Sequence, residues 1–127
     1  MNEIQKDKAL KLFLLVFGIG SIFVIYPLHI VWPSGWAWHH GEGEYYFQMI
    51  AIVYAVLGVF LIKASKNPGA HISLLWFTIW ANLGHGVVML IQALMDNTET
   101  GHLMGDVPFL FITSALMAYL MPRPKTA

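Results

Sequence analysis

Ile72 to Leu94 is a run of 23 residues without a formal charge, yet it is not uniformly apolar. Thr78, Asn82, His85, Met89, Gln92 and Asp96 recur at steps of four, three, four, three and four. At about 100° per residue these positions fall within an arc of roughly 80° on one helix face. A helix over this run is about 35 Å long, enough to cross the hydrocarbon core of a bilayer. Lipid cannot satisfy hydrogen-bonding groups, so the stripe of Thr78, Asn82, His85 and Gln92 is expected to face protein. An ionisable group inside a span marks a functional site by default, which singles out His85. The structural alternative is a neutral imidazole bonded to Asn82, Thr113 or a carbonyl.

Three more apolar runs accompany it. Leu12–Val31 follows a polar start bearing Lys6, Lys8 and Lys11, and Pro27 is expected to kink or end its helix. A basic start before an apolar run also fits a secretory signal, but no small-x-small cleavage site follows. Tyr45–Ile62 is the second span. Val107–Met121 is the fourth, with Asp106 placed to cap it and Pro108 in its first turn. Between them lie Trp32–Glu44, WPSGWAWHHGEGE, then Lys63–Ala70 around Asn67-Pro68-Gly69, and the polar Met95–Gly105. Trp32, Trp36 and Trp38 fit an interfacial aromatic belt. The expectation is an all-α, single-domain, four-helix membrane bundle over residues 1–127, with spans near 12–31, 45–62, 72–94 and 107–121.

Charge orients it. All seven basic residues (Lys6, Lys8, Lys11, Lys63, Lys66, Arg123 and Lys125) fall on the side holding both termini. The opposite side has Glu42, Glu44, Asp96, Glu99 and Asp106. This positive-inside pattern predicts cytoplasmic N- and C-termini. Hydrophobic residues make up 57% and charged ones 11%, and the mean hydropathy is +0.63, so the bilayer is the natural solvent. Without cysteine, disulfides, thiolate metal sites and thiol catalysis are excluded. No basic stripe interleaved with aromatics supports nucleic-acid binding.

Setting the second and third spans antiparallel, with Glu44 level with Asp96, brings Gln48 level with Gln92, Ala55 opposite His85 and Gly58 opposite Asn82. Side-chain amides then zip the two helices near the outer surface. A second constellation is external: His39, His40, Glu42 and Glu44, with His102, Asp96, Glu99 and Asp106 on the other outer loop. This mixture of imidazole and carboxylate suits zinc, copper(II) or iron(II), with His39, His40, Glu44, His85 and His102 as the candidate ligands. No H-E-x-x-H motif specifies a geometry; the alternative is a hydrated acidic loop. His29 and His85 form a further candidate pair, for haem. There is no phosphate loop, no G-x-S-x-G, and no carboxylate deep in a span, which speaks against a proton-coupled carrier.

The blocks WHHGEGEYYFQMIAIVYAVLGVFLIKASKNP, FTIWANLGHGVVMLIQAL and GHLMGDVPFLFITSALMAYLMPR, running from Trp38 to Arg123, resemble the BphX-like family of small bacterial four-helix membrane proteins. The resemblance implies a bacterial inner-membrane domain; it carries no activity, cofactor or catalytic residue with it. The favoured function is a non-enzymatic module binding a membrane partner, a second copy of itself or a small apolar ligand. The alternatives are a metal- or haem-binding redox protein and an oligomeric carrier.

Overall fold

The computed structural model describes residues 1–41 and 43–123, and of His40 and Gly41 the backbone alone. Described residues are helical wherever they are regular, with no strand among them. The helices are α1 (Glu3–Phe23), α2 (Ile25–Val31), α3 (Pro33–Trp36), α4 (Glu44–Ser65), α5 (Ile72–Met95) and α6 (Asp106–Leu120). Short 3-10 turns cover Trp38–Gly41, Pro68–His71 and Asn97–Met104.

The polar start is itself helical. Asn2 accepts from the Gln5 amide at 2.8 Å and the Gln5 side chain accepts from the Asn2 amide at 3.0 Å, a reciprocal cap that starts α1 at Glu3. Pro27 acts one turn back. It has no amide to bond the Phe23 carbonyl, and its ring crowds that carbonyl. Accordingly α1 stops at Phe23 and α2 leaves it at 55°. Glu44–Ser65, Pro68–Met95 and Asn97–Leu120, the last two counted with their leading turns, are long and apolar enough to cross a membrane. The bent α1–α2 pair makes a fourth if it is one span.

Helix α1 packs along α4, α5 along α6, and α1 also meets α6. One core joins all four long helices through Leu10, Leu14 and Phe17, Leu61 and Ala64, Leu75 and Ile79, and Met117 and Leu120. The remaining helix surface is dominated by apolar side chains, among them Ile52, Val53, Val56, Phe77, Trp80, Val88 and Ile112. That is the inverse of a water-soluble surface. The first and last described residues lie at one end of the molecule. Arg123 Nε lies 3.7 Å from Glu3 Oε1, and Lys6 sits over the Tyr119 ring. The turn bearing Pro68–His71 touches α1 and α4. The loops Trp32–Gly41 and Asn97–Gly105 close the other, loop end.

Helices α1 and α4 approach backbone to backbone. A Cβ on Gly58 would lie 2.5 Å from the Gly18 carbonyl oxygen, and one on Gly18 2.7 Å from that of Gly58. This corrects the register read from sequence: Gly58 lies against α1 rather than opposite Asn82. The amide zip is absent too. Gln48 and Gln92 are both exposed, and Gln48 reaches back to Glu44 at 3.5 Å.

Candidate functional site

At the loop end a buried polar layer is built largely by local sequence. The Asp96 carboxylate accepts from the Thr98 amide at 2.9 Å and its hydroxyl at 2.7 Å, starting the 3-10 turns of Asn97–Met104. Those turns place Glu99 and His102 three residues apart, and α6 starts with Asp106 four further on. All three side chains are sealed, at 3%, 1% and 6% exposure. His102 Nδ1 is 2.9 Å from Asp106 Oδ1, and Nε2 is 3.2 Å from Glu99 Oε2 and 3.3 Å from the Ala37 carbonyl. Each ring nitrogen therefore faces an acceptor, so the ring fits as an imidazolium donating both protons.

The other loop completes the layer. Trp38 stacks on His102 with centroids 4.0 Å apart, and its Nε1 donates to Asp106 Oδ2 at 3.0 Å. The His39 amide donates to Glu99 Oε1 at 2.6 Å. The two loops meet backbone to backbone, where a Cβ on Gly101 or Gly105 would strike the carbonyl of Ser34 or Gly35. Two expectations change here. Glu99 and Asp106 are not a hydrated acidic loop, because His102 and other donors satisfy them inside the protein. Trp38 and Trp36 are not simple belt anchors: Trp38 is bonded to Asp106, and Trp36 packs edge-on against Phe109.

His102 lies in the polar turn ahead of the apolar run from Val107. Burial works against a charged ring there. The hydrogen bond and charge of Asp106, the Ala37 carbonyl and the charge of Glu99 outweigh it, raising the His102 pKa above its ordinary 6.5.

Beneath this layer is a cavity of about 570 Å³. Phe13, Phe17, Phe47, Leu110 and other apolar side chains make most of its wall, with Trp38 and Asp106 at the layer's edge and Tyr54 and His85 within it. Tyr54 reaches from α4 to α5, its hydroxyl donating to Asn82 Oδ1 at 2.7 Å and lying 3.2 Å from His85 Nδ1. Sequence reasoning misses Tyr54, although its signal is there: between Gln48 and Lys63 it is the one side chain able to hydrogen-bond.

The predicted residues thus separate. Of the stripe, Thr78 and Asn82 are buried and His85 half-buried. Thr78 bonds its own helix at Leu74, as Thr113 bonds Phe109 rather than His85. Gln92 and Gln48 stand outside any such network. Of the metal pool, His39 and His102 converge on Glu99, while His85 belongs to the Tyr54 network. Glu44 borders a side hollow of about 480 Å³ together with Glu99. The His40 side chain and Glu42 lie outside the described residues. His39, Asp96 and Glu99 bring one ligand atom each within 4.8 Å of one another, a set that could take a divalent cation. All three belong to the outer-loop constellation read from sequence, although of them only His39 is in the narrower candidate pool. His29 and His85 border a common hollow of about 430 Å³, where Phe47 stacks on His29 at 3.8 Å.

No curated protein and no solved structure matches this chain. A family model does, over residues 5–124, which takes in all six helices but for the first two residues of α1, and both halves of the buried layer. The chain belongs to that family, DUF6632, a family of unknown function.

Proposed function

We propose that this protein is a four-span α-helical membrane protein with cytoplasmic termini that binds a small, mostly apolar molecule in the cavity under its outer loop layer. The cavity carries the reading. Its volume lies within the about 300–1,000 Å³ typical of small-molecule sites, and its wall has the matching chemistry, apolar with a few convergent polar groups. Its exposed lining residues are apolar: Val16, Ile19, Ile50 and Phe109 lie on the long helices and Val24 at the break between α1 and α2. A ligand would therefore enter from hydrocarbon. The topology rests on the basic residues gathered at the end with the termini.

Two experiments test this. The chain has no cysteine, so single replacements report cleanly. A membrane-impermeant maleimide applied to intact cells is expected to label Thr100→Cys and not Lys66→Cys; the reverse pattern would invert the topology. For the cavity, Gly20 is the lever. It lines the cavity, and a Cβ there meets nothing within 4 Å. Gly20→Leu is expected to keep or raise thermal stability while abolishing saturable binding of 1-methyladamantane in equilibrium dialysis. Undiminished binding would rule out this cavity as the site.

A further inference from the structure

The hydrogen bonds at the cavity wall determine which polar group a ligand must carry. Tyr54 has a single hydroxyl proton. Asn82 Oδ1, 2.7 Å away, can only accept, so the proton is committed there. The contact between the Tyr54 oxygen and His85 Nδ1 at 3.2 Å must then run the other way, with Nδ1–H donating. In the neutral ring this leaves Nε2 with a lone pair, and the described hydrogen bonds give Nε2 no partner. His85 is half-buried, borders the apolar cavity, and its Nε2 is not among the sealed, unpartnered atoms.

An acceptor without a partner in an apolar wall favours a ligand that brings a donor. Of the other polar lining groups, Trp36 Nε1 is a donor without a partner among the described hydrogen bonds but is sealed. The rest have no free proton to give, so the wall presents acceptors. Ser21 and Thr113 spend their protons on backbone carbonyls of their own helices. Each Asp106 oxygen already accepts one hydrogen bond inside the buried layer, one from His102 and one from Trp38.

We infer that the occupant of the cavity is an apolar molecule bearing a hydroxyl group, drawn from the bilayer, whose O–H donates to His85 Nε2. This rests on the cavity reading above and adds the polarity of the ligand. Tyr54 and Asn82 are positioning residues: they hold the imidazole in the tautomer that presents the lone pair.

The test compares 1-adamantanol with 1-methyladamantane, bodies of the same shape with a hydroxyl or a methyl, by equilibrium dialysis against detergent-purified protein. The alcohol is expected to bind about fivefold more tightly, the net of one neutral hydrogen bond. His85→Phe should bring the ratio to one without weakening 1-methyladamantane, and His85→Gln, which keeps an acceptor, should retain part of the preference. A ratio of one in the wild type, or a preference that survives His85→Phe, would overturn the assignment of His85 while leaving the cavity reading intact. If the wild type binds neither probe, or Gly20→Leu binds both as the wild type does, the cavity reading fails and this inference with it.

Discussion

His102→Leu is expected to lower stability by about 3–5 kcal/mol, the penalty for removing one partner of a buried ion pair. The leucine fills the space under Trp38 but offers no proton. Glu99 keeps its bond from the His39 amide and Asp106 its bond from Trp38, so both carboxylates stay enclosed without the cation between them. Adding Asp106→Asn should return part of the loss, because it removes one stranded charge and still offers Trp38 an acceptor. The wild type has a matching pH signature. With the folded pKa of His102 raised above 6.5, its contribution is fully present below pH 6.5 and is lost as pH rises through the folded value. Thermal unfolding in detergent across that range should show the wild type and His102→Leu converging on the alkaline side. A gap that does not change with pH would mean that the fold does not raise the His102 pKa.

Gly58→Ala is expected to cost about 1–3 kcal/mol, although alanine is the better helix former. The new methyl would sit 2.5 Å from the Gly18 carbonyl oxygen, 3.0 Å from Ile22 Cγ1 and 3.2 Å from Ser21 Cβ. The nearest atom is backbone, so α1 and α4 must move apart where they meet most closely. Gly18→Ala should behave alike, with the Gly58 carbonyl and the Ile62 side chain at 2.7 and 2.8 Å. Gly84→Ala is the control, since nothing lies within 4 Å of its added Cβ. Equal melting temperatures for Gly58→Ala and Gly84→Ala would mean that the α1–α4 contact does not limit stability.

These glycines look alike along the chain. Each is one hydrogen on an apolar helix, and nothing local distinguishes Gly58, pressed against a carbonyl, from Gly84, facing open space. The same holds for the polar pair Gln48 and Gln92. They match in spacing and chemistry, yet α4 turns its Gly58 face to α1 and leaves Gln48 outward. Helix contacts within a membrane depend on close steric fit, which hydropathy does not encode.

The helices and their order are legible in the amino-acid pattern alone. Runs of about twenty apolar residues admit few other states once backbone groups must be satisfied without water. Pro27 requires a break one turn earlier, Asn67-Pro68-Gly69 a turn, and the basic residues a common end. His85, His102 and Asp106 also stand out as unusual at that level. Packing in three dimensions is what joins His102 to Glu99 and Asp106 in a sealed ion network, bonds Trp38 into it, and sets Tyr54 to orient His85 beside an apolar cavity. The Tyr54–Asn82 and Trp38–Asp106 bonds cross 28 and 68 residues of chain. Bonds of that kind are selected by how helices pack and twist in space rather than by any period along the sequence.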